Sequence, residues 1–281
     1  MTPRDASLHA AVGAPGTVGA QVTAWRSGRV QARADLLAQE VPVALVFNGV
    51  SHAVMLASPL DLEDFALGFA LTEGLIASPR DLYGVESQAV EGGIELRLAV
   101  SAESEWGLKA RRRSLAGRTG CGLCGTDSLA QVQRALAPAP AVRVPTGALG
   151  LAQRGLWQHQ VLQQLTGATH AAAWCAPDGR VRLVREDVGR HNALDKLIGA
   201  LVRAGDDPRE GFAAITSRAS FEMVQKTVAA GIGALAAVSA PTELAVHTAQ
   251  SLNLALAGFV RGSDGVAYTF AERFGLDPHG R

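Results

Sequence analysis

Apolar and polar positions in the first half of the chain predict two β-hairpins with a helix between them. Residues 43–57 form two apolar runs on either side of Asn48-Gly49, a dipeptide that accepts the positive φ angles of a tight hairpin turn. Apolar side chains then recur at helical spacing over residues 62–76. A second turn is marked by Gly92-Gly93, and residues 94–100 form its outgoing strand. This half of the chain is therefore expected to be a small α+β unit.

The second half of the chain alternates between strand and helix patterns. A long helix is predicted over residues 146–165, ended by Gly167. The strands that follow are predicted at residues 171–176, 181–185, 212–216, 235–239 and 254–260. The helices between them are predicted at residues 191–204, 220–230 and 242–250. This alternation indicates an α/β fold, with a mostly parallel sheet covered by helices on both faces.

Breaks in the pattern divide the chain into three parts. Residues 1–20 are rich in Ala, Gly and Pro and lack the apolar segment of a signal peptide, so we expect a disordered leader. Residues 101–120 are basic and have no apolar periodicity, which is typical of a loop. Alternating Ala and Pro at residues 137–140 read as a linker. The expected domains are an N-terminal α+β subdomain over residues 21–137, which ends in a short helix, and a C-terminal α/β subdomain over residues 138–281.

Composition narrows the possible classes of protein. The 281 residues are 48% hydrophobic, enough for one large core or two smaller ones. Charge is balanced, with 26 basic and 26 acidic residues, which argues against a general nucleic-acid or membrane-surface binder. No apolar run reaches the roughly 18–20 residues of a transmembrane helix. Three cysteines, an odd number, indicate a reducing cytoplasm rather than a disulfide framework.

Polar side chains follow four of the predicted strands. These junctions are Glu186–Asn192, Thr216–Ser220, Ser239–Thr242 and Phe259–Asp264. Ligands of such sheets gather beyond the carboxyl ends of the strands, and helix N-termini attract phosphate. Because Arg190, Arg218 and Arg261 each lie at a junction, with hydroxyls such as Ser217 nearby, we predict a site for a phosphorylated or nucleotide-like ligand. The simpler interpretation of each single junction is a helix cap, and neither a P-loop nor a GxGxxG motif lies at these junctions.

The pair Cys121-Gly122-Leu123-Cys124 is the strongest chemical feature of the sequence. A zinc site needs four ligands, and only Cys175, His170 or His191 could complete one, through tertiary structure. A thioredoxin-like disulfide needs a strand before the pair, and the preceding residues are basic and loop-like. Glycines surround the pair, and nearby basic residues favour the thiolate form. The pattern therefore favours an exposed, reactive thiolate, of the kind a sulfur carrier needs.

Four blocks of the sequence resemble the FdhD family, the sulfur carriers required for formate dehydrogenase activity. The blocks are RTGCGLCG from Arg118, REDVGRHNALDKLIG from Arg185, TSRASFEMVQKTVAAGIG from Thr216 and SAPTELAV from Ser239. The resemblance covers about Pro42 to Phe270. It implies a C-terminal part similar to the cytidine-deaminase fold, although the deaminase zinc signature is absent here, so no metal ligand is predicted.

The resemblance also implies roles for individual residues. Cys121 matches the cysteine that carries the persulfide, and Cys124 matches one that assists transfer or release. The cofactor-contacting turn of the family matches Phe259, Val260, Arg261, Gly262, Ser263 and Asp264. Asp264 places an acid in a turn that is expected to face phosphates. The junction residues Arg190, Ser217 and Arg218 complete the predicted cofactor site.

The implied activity is that of a sulfurtransferase in the cytoplasm. The family accepts persulfide sulfur from a cysteine desulfurase and transfers it to the molybdenum or tungsten bis-guanine-dinucleotide cofactor (molybdenum bis-molybdopterin guanine dinucleotide). The implied partners are therefore the desulfurase, this client cofactor and the formate dehydrogenase apo-enzyme, with a homodimer as the expected assembly. The alternative is a binding chaperone that delivers the cofactor without moving sulfur.

Several other side chains receive predictions from their position alone. Cys175 lies in an apolar strand pattern and is expected to be a buried core residue. His191 either contacts ligand or is satisfied locally at a helix N-terminus. Lys196 and Lys226 lie at mid-helix and are expected to be solvated. The run Arg111-Arg112-Arg113 either docks a partner or, as we favour, only solvates a loop.

Overall fold

The computed structural model describes residues 13–115 and 135–277, of which residues 109–115 are described by their backbone alone. Cys121 and Cys124 therefore lie outside the described residues. The described strands are β1 (Thr17–Arg26), β2 (Arg29–Ala38), β3 (Val41–Phe47), β4 (Val50–Ala57), β5 (Leu82–Val90), β6 (Gly93–Val100), β7 (His170–Cys175), β8 (Val181–Asp187), β9 (Phe212–Ile215), β10 (Ala234–Ala237), β11 (Ala255–Arg261) and β12 (Asp264–Thr269).

The described α-helices are α1 (Leu62–Thr72), α2 (Ala102–Leu115), α3 (Thr146–His159), α4 (Val161–Thr166), α5 (Arg190–Ala204), α6 (Phe221–Ala229) and α7 (Glu243–Ser251). Single 3-10 turns occur at Pro79–Asp81, Pro208–Glu210 and Ala271–Phe274. No helix among the described residues is both long enough and apolar enough to cross a membrane.

The N-terminal subdomain is built on a four-stranded sheet in the order β4-β3-β6-β5. As predicted, β3 and β4 form a hairpin through Asn48 and Gly49, which have φ angles of 46° and 80°. The helix α1 covers one face of this sheet, where Phe65 and Phe69 pack among the apolar side chains of β3 and β6. The predicted α+β unit is therefore present, although its helix ends at Thr72 rather than near residue 76.

The strands β1 and β2 form a separate two-stranded ribbon that the sequence analysis missed. Because β1 begins at Thr17, residues 17–20 of the predicted leader form a strand instead. The turn between the strands is Ser27-Gly28, and both residues have positive φ angles. Small residues such as Gly19 and Ala20 weaken the apolar alternation of β1, which explains why no strand was predicted there.

The helix α2 replaces a segment that was predicted to be a loop. Ser101 begins it, since its Oγ accepts the backbone N–H of Ser104 at 3.3 Å. Leu108 is buried against the four-stranded sheet, whereas Trp106 is exposed. A helix so rich in charged residues has no apolar periodicity to detect, and it forms from residues of high helix propensity.

The C-terminal subdomain is built on a six-stranded sheet in the order β12-β11-β10-β9-β7-β8. The strands β9, β10 and β11 are parallel, while β7 pairs antiparallel with both β8 and β9. Helices α5, α6 and α7 cover one face, where Leu197 and Met223 are buried. Helix α3 covers the other face through Leu149 and Leu156. The predicted α/β class, with helices on both faces, is confirmed, but the sheet is mixed rather than mostly parallel, since two of its five strand pairings are parallel and three are antiparallel.

The helix predicted over residues 146–165 is two helices. The chain leaves the helical conformation at Gln160, whose φ and ψ angles are −80° and 75°. The following helix, α4, is held by a buried carboxylate, because Glu186 accepts the backbone N–H groups of Leu162 and Gln163 at 2.9 Å each. This tertiary contact turns α4 away from the axis of α3.

The two subdomains meet where α1 crosses α5. A Cβ on Gly68 would overlap the carbonyl oxygen of Asp195, and a Cβ on Gly199 would overlap the carbonyl oxygen of Asp64. Reciprocal glycines thus let the two helix backbones touch. The pairing places α5 between the two sheets, so its N-terminal end is fixed relative to both subdomains.

Buried ion pairs reinforce this contact, and they correct the prediction for two lysines. Lys196 is fully buried, with its Nζ 2.6 Å from Asp187 Oδ2 and 2.9 Å from the carbonyl oxygen of Ser58. Lys226 is buried as well, with its Nζ 2.9 Å from Asp195 Oδ2. The prediction that both lysines are solvated is therefore wrong. Each is buried beside an acid that comes from elsewhere in the chain.

Candidate functional site

The carboxyl edge of the six-stranded sheet, where β9, β10 and β11 end, contains a cavity of about 910 Å³. Thr216, Val238 and Val260 line it at the ends of these three strands. His170 lines it from the start of β7, which runs antiparallel to β9 and so begins at the same edge. Ligands were predicted at this edge, and the cavity lies there.

Helices α3 and α4 form the other wall of the cavity. This wall consists of an aromatic ring, a guanidinium and several amide side chains, from Gln153, Arg154, Trp157, Gln158, Gln160 and Gln163. Trp157 is 57% exposed and so presents its ring to solvent. None of these residues was predicted, because a helix pattern indicates which face is apolar but does not indicate which strand edge the polar face will meet.

Part of the turn between β11 and β12, which was predicted to contact the cofactor, lies at the cavity. Val260, Arg261 and Gly262 line the cavity. A Cβ on Gly150 would overlap the carbonyl oxygen of Gly262, so α3 packs directly on this turn. Gly150 is thus required by the approach of α3 to the site.

The remaining residues of that turn are placed differently. Phe259 is half-exposed and has a φ angle of 53°, next to an irregularity in the pairing of β11 and β12. Ser263 Oγ donates to Asp264 Oδ1 at 3.2 Å in the exposed turn. Among the described residues, Phe259, Ser263 and Asp264 are outside the set that lines the cavity. The turn therefore faces the cavity with its Val260–Gly262 portion.

His170 lines the cavity, whereas the predicted site residue Arg190 is outside the set of lining residues and acts on His170 through its charge. Burial lowers the pKa of His170, and the positive charges of Arg190 and His191 lower it further. His170 is therefore neutral at pH 7. Arg190 is the first residue of α5, and its Nε is buried without a hydrogen-bond partner among the described residues.

Ser217 and Arg218 follow the cavity residue Thr216. Thr216 Oγ1 accepts the backbone N–H of Ala171 at 3.0 Å, which joins β9 to β7 at the edge. Ser217 is buried, and its Oγ donates to the carbonyl oxygen of Arg218 at 3.0 Å. Arg218 is exposed. Neither Ser217 nor Arg218 lines the described part of the cavity, although both lie beside it in sequence.

Glu222 and His191 pair at the same edge, at the N-terminal ends of α6 and α5. His191 Nε2 lies 3.4 Å from Glu222 Oε2, and Ser220 Oγ donates to the same oxygen at 2.8 Å. His191 and Ser220 hold the pKa of Glu222 well below its usual range, at about 2. His191 thus has a local partner, which the sequence analysis left open, and it also remains close to His170.

Other polar residues of the predicted junctions are structural. Asp187 is fully buried and accepts the backbone N–H of Ser58 at 2.9 Å and of Gly189 at 2.8 Å. Thr242 caps α7, since its Oγ1 accepts the backbone N–H of Ala245 at 3.3 Å. These junctions follow the simpler interpretation of a helix cap or chain turn.

Of the three cysteines, Cys175 lies among the described residues and the other two do not. Cys175 is fully buried in β7, as predicted, and burial raises the pKa of its thiol to about 12. Cys121 and Cys124 lie outside the described residues, so their predicted roles stay predictions. Within residues 13–108 and 135–277, no group of three His, Cys, Asp or Glu side chains could hold a metal ion.

The cavity therefore combines groups suited to a polar, planar ligand that carries anionic groups. Arg154 and Arg261 can bind phosphate, Trp157 can stack on a ring, and the amides can bond to its edge. A volume near 910 Å³ lies toward the upper end of the range for small-molecule sites.

Comparison with known proteins supplies the family. The model of the FdhD/NarQ family matches residues 38–275. A Variovorax paradoxus protein named sulfur carrier protein FdhD is 61% identical over 84% of this chain and 85% of its own length. A Bordetella petrii protein of the same name is 53% identical over 98% of this chain and 100% of its own length.

A solved structure supports the fold independently. The crystal structure of a proposed formate dehydrogenase accessory protein from Desulfotalea psychrophila superimposes with a TM-score of 0.75, at 20% sequence identity. The superposition covers 92% of this chain and 99% of that one. With the family match extending over most of its length, the chain belongs to the FdhD/NarQ family.

Proposed function

We propose that this protein is a sulfur carrier that receives persulfide sulfur from a cysteine desulfurase on Cys121. It transfers that sulfur to the molybdenum or tungsten bis-guanine-dinucleotide cofactor, which formate dehydrogenase requires. The observation that carries the proposal is the cavity at the carboxyl edge, lined by Val260, Arg261 and Gly262, in a chain closely related to proteins named sulfur carriers.

The described residues fit a nucleotide-sized part of this cofactor. Arg154 and Arg261 offer charge to its phosphates, while the neutral ring of His170 can share a hydrogen bond without adding charge. Trp157 offers an aromatic face to a purine or pterin ring. Each glutamine amide has an NH2 group that donates and an oxygen that accepts, which suits a ring edge that carries both kinds of group, although Gln153 Nε2 already donates to the carbonyl oxygen of Ala236 and Gln163 Oε1 accepts the backbone N–H of Thr169.

The chemistry of the first step requires only thiolates. The Cys121 thiolate attacks the outer sulfur of the desulfurase persulfide, a new S–S bond forms on Cys121, and the desulfurase cysteine leaves as a thiolate. Attack of the Cys124 thiolate on Cys121 Sγ would break the persulfide S–S bond, release the outer sulfur as hydrosulfide for the cofactor and leave a Cys121–Cys124 disulfide. Cys124 is the nearby thiol that can assist release, as the family resemblance implies.

The decisive test is a mass measurement on the full-length protein, and then on its proteolytic peptides, after incubation with a cysteine desulfurase and cysteine. One added sulfur atom is expected on the peptide that contains Cys121, and none after Cys121→Ala. Cys175→Ala is the matched control, because the Cys175 thiol is buried and its raised pKa keeps it protonated. Sulfur that persists in Cys121→Ala would contradict the proposal.

A binding chaperone remains the second candidate, because the described cavity is complete without either cysteine of the pair. The double variant Cys121→Ala/Cys124→Ala separates the two functions. If it restores formate dehydrogenase activity in cells that lack the native carrier, the chaperone is correct. If it binds GDP like the native protein but restores no activity, sulfur transfer is correct.

A further inference from the structure

Two aromatic side chains are exposed at one end of the four-stranded sheet. Trp106, in the second turn of α2, is 75% exposed, and Tyr83, near the start of β5, is 71% exposed. The two elements meet at this end, because the backbone N–H of Ser101 donates to the carbonyl oxygen of Asp81 at 2.9 Å. Trp and Tyr are enriched at protein–protein interfaces relative to the rest of the surface, so this end of the sheet is a candidate contact surface.

The edge strand β5 is irregular at Tyr83. Leu82 pairs with Val100 and Gly84 pairs with Ala99, so Tyr83 is an extra residue in the ladder. Such a bulge bends the strand and redirects the side chain of the extra residue. A bulge also protects an edge strand from pairing with another strand, but that protection does not require an aromatic side chain. The exposed ring of Tyr83 is therefore not explained by the edge itself.

Gly107 follows Trp106 inside α2, and packing does not require a glycine there. A Cβ placed on Gly107 would meet nothing of the described chain within 4 Å, and its φ angle is not positive. Glycine inside a helix makes the helix less stable than alanine does. The missing side chain leaves the helix backbone open beside the indole, where another molecule can approach closely. Gly107 is thus a second, independent sign that α2 is contacted from outside.

The same end of the molecule is basic. Arg80 is exposed in the 3-10 turn before β5, and the sequence of α2 continues through Lys109 and Arg111-Arg112-Arg113. The helix backbone places residue 109 on the same side of α2 as Trp106. The helix dipole favours acids in the first turn and basic residues toward the end, as in α2, but it does not require an exposed indole. An aromatic and basic surface fits a protein that presents acidic groups around an apolar pocket.

This surface is joined to Cys121 by a short length of chain. Cys121 lies six residues after Leu115, the last residue of α2. Six residues span at most about 22 Å even when fully extended, so a protein docked on α2 has Cys121 within that distance of the helix end. A sulfur donor must bring its persulfide to Cys121, whereas the cofactor that accepts the sulfur has its own proposed site in the cavity. The surface therefore suits the donor.

We propose that Trp106, Tyr83 and Arg80, together with the basic end of α2, form the docking surface for the cysteine desulfurase that supplies the sulfur. Trp106 is the anchor that enters an apolar pocket of the desulfurase, and the basic residues meet acidic side chains around that pocket. The proposal rests on the proposed function, because the donor is the one named there. It adds the surface by which that donor is recognised.

Binding of the desulfurase is measured first, by isothermal titration of the full-length protein. Trp106→Ala and Tyr83→Ala should each bind about tenfold or more weakly than the native protein, as aromatic anchors of interfaces do. Arg80→Glu should weaken binding as well, and native binding should fall as the salt concentration rises. Leu244→Ala is the matched control, because Leu244 is a large apolar residue exposed on α7 in the other subdomain. GDP binding and the melting temperature should stay at native values in all four variants.

The rate of sulfur addition to Cys121 separates docking from chemistry. In Trp106→Ala, addition should slow about tenfold at low desulfurase concentration and return to the native rate at saturation. Native affinity for the desulfurase in both aromatic variants would overturn the proposal. A rate that stays low at saturation would also overturn it, as would weaker binding of the formate dehydrogenase apo-enzyme, or a changed mass in solution, in place of weaker desulfurase binding.

A variant without the two loop thiols keeps this test separate from the test of Cys121. Cys121→Ala/Cys124→Ala should bind the desulfurase like the native protein, and the further change Trp106→Ala should weaken that binding about tenfold. If the desulfurase binds through Trp106 but no sulfur appears on Cys121 of the native protein, the docking surface stands and sulfur transfer fails. If sulfur appears and binding depends on neither Trp106 nor Tyr83, sulfur transfer stands and the docking surface fails.

Discussion

Helices α5 and α6 meet twice, one helical turn apart, and the two contacts differ in kind. At the carboxyl edge, His191 and Glu222 pair with 26% and 27% of their side chains exposed. Four residues further along each helix, Asp195 and Lys226 pair with 1% and 8% exposed. The residue spacing is the same on both helices, so burial decides whether a charged pair is part of the site or part of the framework.

The buried pair, Asp195 and Lys226, is called the inner pair here, and the partly exposed pair, His191 and Glu222, the outer pair. Two side chains of the N-terminal subdomain contact the inner pair. Thr72 Oγ1 donates to Asp195 Oδ1 at 2.7 Å, and Glu73 Oε1 lies 2.6 Å from Lys226 Nζ. Burial lowers the pKa of Lys226, but the carboxylates of Asp195 and Glu73 raise it by more, so the lysine stays charged. The inner pair thus fixes α1 against α5 and α6, while the outer pair remains beside the cavity.

The largest expected effect comes from breaking the inner pair. Lys226→Met leaves the Asp195 carboxylate buried without its counter-charge, which should lower the free energy of unfolding by about 3–5 kcal/mol. Chemical denaturation measures this loss. The double variant Asp195→Leu/Lys226→Met should recover much of it, because no unpaired charge remains. A single variant that loses less than about 1 kcal/mol would show that the pair behaves like an exposed one.

A substitution at Gly150 should show that the packing of α3 on the turn after β11 shapes the cavity wall. In Gly150→Ala the new Cβ overlaps the carbonyl oxygen of Gly262, so α3 must shift, at a cost of about 1–3 kcal/mol in stability. GDP binding should weaken as well. Gly147→Ala is the matched control on the same helix, because its Cβ meets nothing within 4 Å and alanine should stabilise the helix by up to about 1 kcal/mol. Equal effects of the two changes would contradict this account.

The aromatic ring of the cavity should affect binding rather than stability. Trp157→Ala is expected to weaken GDP binding about fivefold, since an aromatic contact contributes roughly 1 kcal/mol. Its melting temperature should change little, because the side chain is largely exposed. Isothermal titration with Leu151→Ala as the control checks this, as Leu151 is exposed on the same helix but outside the cavity. Unchanged affinity in Trp157→Ala would remove the ring from the site.

The smallest effect on the free energy of unfolding is expected at the pair of His191 and Glu222, and it depends on pH. The pKa of Glu222 falls from 4.5 to about 2 in the folded protein, mainly through His191. A lowered carboxyl pKa contributes stability above the unfolded value, and that contribution is lost as pH falls from about 4.5 to about 2. Because the pair is partly exposed, its contribution should not exceed about 1 kcal/mol. Glu222→Gln should therefore show a flatter loss of stability than the native protein across this window.

Local signals in the sequence were reliable where few distant contacts were needed. Asn48-Gly49 predicted its hairpin because a type I′ turn depends on the turn residues themselves. The helices α5, α6 and α7 were placed within two residues, since each has a strong apolar face. The site edge was predicted for the same reason, because strand ends follow once the alternation of strands and helices is known.

Predictions failed where the deciding partner lies far along the chain. Lys226 is buried because Asp195, Thr72 and Glu73 surround its ammonium group. No local sequence pattern predicts these partners, since they lie far from Lys226 along the chain. Helix α2 is rich in charged residues and strand β1 buries little surface, so both lack the periodicity by which helices and strands are recognised. Trp157 lines the cavity because α3 packs on the sheet through Leu149 and Leu156, a contact between remote segments that no local pattern indicates.

The sequence by itself determined the α/β class, the strand edge of the site and the resemblance that led to the family, because these depend on periodicity and on contiguous motifs. Tertiary structure alone decided which side chains line the cavity and which charged pairs are buried. It placed Gly262 against Gly150 and separated the His191–Glu222 pair from the Asp195–Lys226 pair. Burial and distance between remote segments are properties of the packed chain, and they set the role of each charge.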